Sequence, residues 1–242
     1  MIRIPILPRA PLLPFPPVEQ ALTEPNGLLC AGGDLSPERL LLAYRHGVFP
    51  WFNDGEPILW WSPDPRAVFD LATTRANARF RRFTRSCPWS LRVDRDFAAV
   101  IQACAAPRSY AEGTWITAAM RGAYQQLHEL GHAHCIAVHD GEELVGGLYG
   151  IAIGRVFCGE SMFSRRPNAS KLALFALADH LRAAGFVWLD GQVESGHLTR
   201  LGACTMARAA FVAGLARFTT QPPANPHWAA DFGRKSASEL DL

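Results

Sequence analysis

The sequence predicts an α/β (α+β) fold in which helices flank a mixed, mainly antiparallel sheet. Two apolar runs flank the dipeptide Asp140-Gly141 as a β-hairpin would, and a third strand-like run follows them directly. A capped, apolar-periodic helix over residues 168–184 then leads into a further strand over residues 186–193. With 242 residues, of which 49% are hydrophobic, the chain can bury a substantial core.

The first part of the chain predicts a small N-terminal domain over residues 1–63. Prolines recur through residues 1–17, and because each proline fixes its own φ and disfavours helix before it, this arm should lie extended over the surface. Ser36 and Pro37 then supply an N-cap and a first-turn proline for a helix over residues 38–46.

The remaining residues, 64–242, predict one larger domain of short strands and helices. The predicted strands cover residues 66–71, 89–93, 135–139, 143–153, 155–159 and 186–193. The predicted helices cover residues 74–84, 95–105, 117–130 and 168–184, followed by two more helices. After Thr219 we expect a loose tail.

Cysteine usage indicates a reducing, cytoplasmic location. Six cysteines occur without a C-x-x-C pair, and several lie in apolar runs, as expected of reduced core residues. The apolar opening segment is repeatedly broken by proline, so it is typical of neither a signal peptide nor a membrane span. His132, His134 and Cys135 have no second cluster that would complete a zinc site, so we expect no metal and no cofactor.

Arginines concentrate in one segment and predict a phosphate-binding helix. The net charge of +2 is too small to indicate nucleic-acid binding by itself, yet seven arginines fall between Arg75 and Arg95. Arginines at helical spacing can follow a phosphate backbone, and a solvated helix face is the alternative. The candidate phosphate-binding residues are Arg75, Arg79, Arg82 and Arg85.

Two neighbouring strand ends carry the candidate catalytic groups. Asp190 lies near the end of an apolar strand, where a carboxylate is costly unless it is paired or used. Period two places Asp190 and Gln192 on the same face of that strand. Glu160 follows Gly159 at the end of the preceding strand and supplies a second carboxylate. The alternatives are a capping aspartate and a surface glutamate.

Apolar and aromatic residues predict a binding pocket beside these polar groups. Met162 and Phe163, together with Leu174, Phe175 and Leu177 on the following helix, are candidates for its lining, with plain core packing as the alternative.

Two tryptophans predict a place where a nucleic-acid base stacks. Trp51 and Trp115 lie in turn-like segments, where large rings are natural stacking surfaces for a base. Packing between the two domains is the alternative for these rings.

Six separated blocks, in order along the chain, resemble the bacterial leucyl/phenylalanyl-tRNA–protein transferase family. The resemblance runs from about Phe15 to Phe218. The blocks are Gly32-Gly-Asp-Leu-Ser36, Phe49-Pro-Trp-Phe52, Trp60-Trp-Ser-Pro-Asp-Pro-Arg66, Gly113-Thr-Trp-Ile116, the segment from Phe157 to Lys171, and Phe186-Val-Trp-Leu-Asp-Gly-Gln-Val193.

The resemblance implies an enzyme that moves leucine or phenylalanine, with methionine as a further candidate, from aminoacyl-tRNA to the N-terminal arginine or lysine of a protein. That protein is thereby marked for degradation. In this family the positions of Asp190 and Gln192 orient and help deprotonate the incoming α-amino group, and those of Trp51 and Trp115 sandwich the terminal adenosine. The order of strands and helices likewise resembles the acyltransferase core of the GNAT superfamily.

Two other functions remain open at this point. A coenzyme-A-dependent N-acyltransferase would need a turn of free amides before the helix at residue 168, and Pro167 removes one of those donors. A non-catalytic RNA-binding module would explain the arginines and tryptophans but not the aspartate and glutamine on one strand. Departures from the family pattern occur at Gly191, at residues 194–197 and before Arg208, and they leave the catalytic pair in place.

Overall fold

Two β-sheets organise the protein in a computed structural model that describes residues 4–106, 114–222, 228 and 232–240. The smaller sheet contains β1 (Ile6–Leu7), β2 (Leu28–Gly32), β3 (Phe49–Pro50) and β4 (Leu59–Trp61), in the order β1-β2-β4-β3. Its centre is Trp60, which is fully buried and donates a hydrogen bond of 2.9 Å from Nε1 to the carbonyl of Gly32.

The larger sheet has eight strands. They are β5 (Arg66–Asp70), β6 (Ser90–Val93), β7 (Ala133–Asp140), β8 (Glu143–Ile153), β9 (Val156–Ser164), β10 (Trp188–Val193), β11 (Cys204–Met206) and β12 (Arg234–Ser236). Their order is β11-β5-β10-β9-β8-β7-β6-β12. Only β9 and β10 pair in parallel among these described strands, so the predicted mixed, mainly antiparallel sheet is confirmed.

Seven α-helices accompany the sheets in the described part of the chain. They are α1 (Pro37–Arg45), α2 (Ala78–Ser86), α3 (Phe97–Cys104), α4 (Ala118–Glu129), α5 (Ala169–Ala183), α6 (Gly196–Leu201) and α7 (Arg208–Phe218). The predicted caps at Ser36 and Thr117 are confirmed, because Ser36 accepts from the Arg39 amide and Thr117 from the Met120 amide. The predicted cap of α5 is wrong, because Asn168 has a left-handed backbone and makes no side-chain cap hydrogen bond. None of these helices has the length and apolar character needed to span a membrane.

Side-chain alternation along the large sheet creates two hydrophobic cores, one on each face. On β8, Leu148 joins the core packed by α2 and α5, whereas Tyr149 joins the core packed by α1, α3 and α4. On β9, Met162 packs toward the first of these cores and Phe163 toward the second. A gap between strands of this sheet would therefore connect two separate apolar regions.

The prediction of a loose tail after Thr219 is wrong for its last described segment. Residues 234–236 form β12, which pairs with β6 at the edge of the large sheet. Trp228 and Phe232 are buried, and Trp228 stacks on His134 with ring centroids 3.9 Å apart. These aromatic side chains bury apolar area without any helical or strand periodicity that the sequence could show.

The last strand of the small sheet ends at Trp61, and the first strand of the large sheet begins at Arg66. The division into domains over residues 1–63 and 64–242 stays a prediction. Gly113, the first residue of one of the six family-like blocks, lies outside the described residues.

Candidate active site

A cavity of about 740 Å³ opens where β9 and β10 stop pairing. Their parallel register runs from Trp188 opposite Val156 to Asp190 opposite Cys158. Beyond this point β9 continues to pair with β8 and β10 with β5, but β9 and β10 no longer pair with each other. Each strand carries one extra residue at this level, Glu160 on β9 and Gly191 on β10, where the register with the outer neighbour shifts. Two facing bulges thus separate the strands and turn polar side chains into the gap.

The cavity lining comes from both cores of the protein. Leu148, Met162, Leu174, Leu177 and Leu189 line it from the α2 and α5 face, whereas Trp115, Tyr149 and Phe163 line it from the opposite face. A ligand in this cavity can therefore place an apolar group on one side of the sheet and a polar or aromatic group on the other.

Glu160 is held in place by hydrogen bonds to both of its carboxylate oxygens. Its Oε1 accepts from the Tyr44 hydroxyl and from Nε2 of Gln192, each at 2.7 Å, and its Oε2 accepts from the Tyr124 hydroxyl at 2.8 Å. The two tyrosine hydroxyls also contact each other. Tyr44 lies on α1, near the start of the chain, and Tyr124 lies on α4, so two helices that are distant in sequence hold this carboxylate.

Burial raises the pKa of Glu160 to about 7, since it disfavours the charged form. The hydrogen bonds from Tyr44, Tyr124 and Gln192 oppose this shift, and the negative charge of Asp190 adds to it. A carboxyl group with this pKa exchanges a proton near neutral pH, which is the property of a general acid or base.

Asp190 forms a buried ion pair. Its Oδ1 and Oδ2 accept from Nε and Nη2 of Arg66 at 2.8 and 2.7 Å, and both side chains are essentially inaccessible to solvent. The guanidinium also donates to the carbonyl of Gly47 at 3.0 Å and lies near the rings of Phe49 and Phe211. The predicted catalytic carboxylate lines the cavity, but Arg66 occupies both of its oxygens.

Gln192 links the two carboxylates. Its backbone amide donates to Oδ1 of Asp190 at 2.8 Å, and its side-chain amide donates to Glu160. The backbone adopts φ of +63°, a left-handed conformation that non-glycine residues adopt at a cost. The bulge at Gly191 and this hydrogen bond hold the strained backbone in place. The predicted pair of Asp190 and Gln192 is therefore brought to one cavity, through a bulge rather than through simple alternation.

The predicted apolar pocket is brought together in part. Met162, Phe163, Leu174 and Leu177 line the cavity. Phe175 points elsewhere, because it lies one position from Leu174 on α5, and its ring packs 5.5 Å from that of Phe80. The prediction of Phe175 as a lining residue is wrong for this cavity.

The two predicted stacking tryptophans line different depressions. Trp115 belongs to the main cavity, whereas Trp51 is 42% exposed and lines a shallow depression together with Trp61. The indole of Trp61 donates to the carbonyl of Trp51 at 2.7 Å. Stacking of both rings on one adenosine stays a prediction.

The predicted phosphate-binding arginines lie on the surface. Arg79, Arg82 and Arg85 are exposed on α2, and Arg75 is exposed just before it. Arg79 also lies close enough to Lys171 on α5 to contribute to lowering the pKa of that ammonium group, after the larger effect of burial. Cations from two helices thus share one surface.

Sequence reasoning missed Tyr44, Tyr124 and Arg66 as site residues. Tyr44 and Tyr124 occupy the buried faces of two predicted helices, and a buried tyrosine needs a partner for its hydroxyl. That requirement signals a polar contact but not its location.

The described residues contain no group of three or more His, Cys, Asp or Glu side chains that could hold a metal ion. His134, which the sequence placed near a cysteine, instead has its Nδ1 2.7 Å from Oδ2 of Asp94.

Comparison with known proteins identifies similar sequences along most of the chain. The family model for the leucyl/phenylalanyl-tRNA protein transferase N-terminal domain matches residues 33–64, and that for leucyl/phenylalanyl-tRNA protein transferase matches residues 68–216. The chain is 52% identical over 236 residues to the leucyl/phenylalanyl-tRNA protein transferase of Xanthomonas axonopodis pv. citri (strain 306), covering 97% of this chain and 95% of that protein. It is 57% identical over 210 residues to the transferase of the same name from Pseudomonas entomophila (strain L48), covering 87% and 93%. Among solved structures, L-PGS from Bacillus licheniformis aligns over 79% of this chain and 73% of its own, with 12% identity and a TM-score of 0.43.

Proposed function

Because the chain belongs to the leucyl/phenylalanyl-tRNA protein transferase family, we propose that it is an aminoacyltransferase that moves leucine or phenylalanine from aminoacyl-tRNA to the N-terminus of a protein. The acceptor is a protein with N-terminal arginine or lysine, which the transfer marks for degradation in the cytoplasm. One observation carries the proposal: an apolar pocket meets a carboxylate–amide pair in the gap between β9 and β10.

The chemistry asks for alignment more than for activation. The α-amino nitrogen of the acceptor attacks the ester carbon, the bond from that carbon to the ribose oxygen breaks, and a proton passes from the nitrogen to the released oxygen. A free α-amino group has a pKa of about 7.7–8.0, so a useful fraction is neutral at physiological pH. The ester is already activated, and holding the two reactants together supplies much of the acceleration.

Gln192 is the residue that meets the nucleophile in this proposal. Its Nε2 donates to Glu160, and this contact fixes the orientation of the amide, with Oε1 directed away from the carboxylate. That oxygen then accepts a hydrogen bond from the attacking amine and aligns the nitrogen lone pair with the ester. Glu160, with its pKa near 7, stabilises the positive charge that develops on the nitrogen.

Asp190 acts as a positioning residue. Its oxygens are engaged by Arg66 and by the amide of Gln192, and the latter contact holds the left-handed backbone that aims the glutamine side chain. Loss of the carboxylate would therefore disturb the amide that contacts the amine, although Asp190 itself takes no proton in this scheme.

The transferred side chain fits the α2 and α5 side of the cavity. Met162, Leu174 and Leu177 provide an apolar wall there, which favours leucine and phenylalanine and excludes charged side chains that would be left unpaired. Trp115 lies on the opposite side, where stacking on the terminal adenine of the tRNA would place the ester within the gap. The exposed arginines of α2 would contact phosphates of the tRNA.

A transfer assay with purified protein tests this function. The donors are leucyl-tRNA, phenylalanyl-tRNA and acetyl-coenzyme A, and the acceptors are peptides that differ only in an N-terminal arginine, lysine or alanine. We expect labelled leucine and phenylalanine on the arginine and lysine peptides only, and no product after N-terminal acetylation of the acceptor. Transfer from the thioester, or equal transfer to the alanine peptide, would contradict the proposed donor or acceptor class.

A further inference from the structure

Tyr149 carries a buried hydroxyl that no described residue satisfies. The residue lies on β8, is fully buried and lines the cavity. Its hydroxyl oxygen has no hydrogen-bond partner among the described residues. Two other tyrosines of the same core, Tyr44 and Tyr124, each donate to Glu160. Tyr149 therefore differs from these two tyrosines because its hydroxyl is left without a hydrogen-bond partner.

Aromatic neighbours and two adjacent strands hold Tyr149 in place. Its ring packs edge-to-face against Tyr124 at 5.6 Å and against Phe97 at 5.9 Å between centroids. Its backbone pairs with Cys135 on one side and Ser161 on the other. Phenylalanine would fill the same space without burying an unpaired hydroxyl, so packing alone does not explain tyrosine at this position. A buried hydroxyl without a partner is uncommon in folded proteins and calls for an explanation, and in a residue that lines a cavity a ligand can supply the partner.

The chemistry of the missing partner is constrained by what surrounds the hydroxyl. Both oxygens of Glu160 already accept hydrogen bonds, so that carboxylate is engaged. Burial raises the pKa of Tyr149 well above its usual range, and the nearby charge of Glu160 adds to this shift. The hydroxyl therefore stays protonated, and it can donate one hydrogen bond and accept others, which suits a neutral hydroxyl group.

The position of Tyr149 relative to the rest of the lining favours one part of the donor. Tyr149 and Trp115 line the same side of the cavity, and the apolar wall for the transferred side chain lies on the other face of the sheet. If the adenine stacks on Trp115 and the transferred side chain lies across the gap, as proposed above, the ribose would lie between them on the side of Tyr149.

This inference rests on the proposed function. We infer that the Tyr149 hydroxyl hydrogen-bonds the 2′-hydroxyl of the terminal adenosine of the donor tRNA and so positions the neighbouring 3′-ester in the gap. The 2′-hydroxyl both donates and accepts, as a tyrosine hydroxyl does, and it distinguishes an RNA end from a DNA end. Tyr149 is thus a positioning residue that selects a ribose-ended donor.

The test combines Tyr149→Phe with a donor that lacks the 2′-hydroxyl. Phenylalanyl-tRNA ending in adenosine and phenylalanyl-tRNA ending in 2′-deoxyadenosine, both esterified at the 3′ oxygen, are compared on the wild-type and variant proteins. We expect Tyr149→Phe to lower kcat/KM about tenfold with the ribose donor, as loss of one hydrogen bond predicts. With the deoxyribose donor the variant and the wild type should agree within about twofold, because the partner is already absent.

Thermal unfolding of the wild type and two variants without ligand provides the second readout. Tyr149→Phe should unfold at the same temperature as the wild type or higher, whereas the matched variant Tyr44→Phe, which removes a partnered hydroxyl, should unfold at a lower temperature. The inference would be overturned if Tyr149→Phe lowered kcat/KM tenfold with both donors, or if it unfolded at a lower temperature than the wild type. Absence of any transfer by the wild type from the ribose donor would instead overturn the proposed function on which the inference depends.

Discussion

Replacing Asp190 with alanine should destabilise the protein strongly, because the substitution leaves Arg66 charged and buried. Both partners of this ion pair are almost fully removed from solvent, with N–O distances of 2.8 and 2.7 Å. Breaking a buried pair on one side costs about 3–5 kcal/mol, a large part of the roughly 5–15 kcal/mol that stabilises a typical domain. For a chain of this size the loss corresponds to about 6–20 °C in the midpoint of thermal unfolding.

Denaturant unfolding of four variants measures this effect. Asp190→Ala should lose the full amount, whereas the double variant Arg66→Met/Asp190→Asn should recover most of it, since no charge is left unpaired and an acceptor remains for the amide of Gln192. Arg66→Met alone should be as unstable as Asp190→Ala. The matched control is Arg166→Ala, which breaks ion pairs with Asp140 and Glu143, whose side chains are 31% and 53% exposed. Arg166 itself is 44% exposed, so each of these pairs should contribute at most about 1 kcal/mol.

Two results would refute this reasoning. If Asp190→Ala unfolds within about 1 kcal/mol of the wild type, the pair does not stabilise the fold as its geometry requires. Transfer activity at a temperature where all variants are folded tests the second point. Asp190→Asn keeps the acceptor for the Gln192 amide and should retain more activity than Asp190→Ala; an equal loss of about 10²-fold in both would give Asp190 the proton-transfer role that the sequence suggested.

Three further predictions concern pH, donor preference and tRNA binding. The pKa of Glu160 is about 7 in the folded protein against an ordinary value of 4.5, so its contribution to stability is fully present below pH 4.5 and is lost as pH rises to about 7. The stability of the wild type relative to Glu160→Gln should therefore fall by on the order of 3 kcal/mol between pH 4.5 and 7.5 in denaturant titrations. Met162→Ala should change the ratio of leucine to phenylalanine transferred in competition assays by up to about tenfold, because the smaller side chain enlarges the apolar part of the cavity. Arg79→Glu/Arg82→Glu should weaken tRNA binding and flatten its dependence on salt, because fewer counterions are released.

Each of these predictions has a control in the chain. A pH dependence that persists unchanged in Glu160→Gln would assign it to another group. Phe175→Ala removes apolar volume from α5 outside the cavity, so it should lower stability and leave the donor ratio unchanged; a shift as large as that of Met162→Ala would contradict the pocket. Arg217→Glu reverses an exposed charge on α7. If it changed the salt dependence of tRNA binding as much as the α2 variant does, the arginines of α2 would be better explained as a solvated helix face.

Local patterns in the sequence predicted the strands and helices that surround the site, because caps, turns and periodicity are local properties. They also placed Asp190 and Gln192 on one strand and selected Met162, Leu174 and Leu177. They did not distinguish Phe175, since both faces of α5 are apolar and only the fold decides which one meets the cavity.

The contacts that give the carboxylates their properties could not be predicted from spacing. Arg66 lies 124 residues from Asp190, and Tyr44 lies 116 residues from Glu160. Such contacts depend on the order of strands and on the docking of α1 against the large sheet. The two facing bulges are equally nonlocal, because a bulge is defined by the register with a neighbouring strand rather than by the sequence of one strand.

The parallel register between β9 and β10 spans only three residue pairs, and it is the seam that joins the two halves of the large sheet. A donor seated in the gap would touch both halves and replace the missing backbone pairing with its own contacts. Occupancy should then slow the hydrogen exchange of amides in β5 and β11, which belong to the outer half and lie beyond β10. The two halves of the sheet would thus be held together most firmly while the tRNA end is bound, and amide protection in the outer half would fall again when the product leaves.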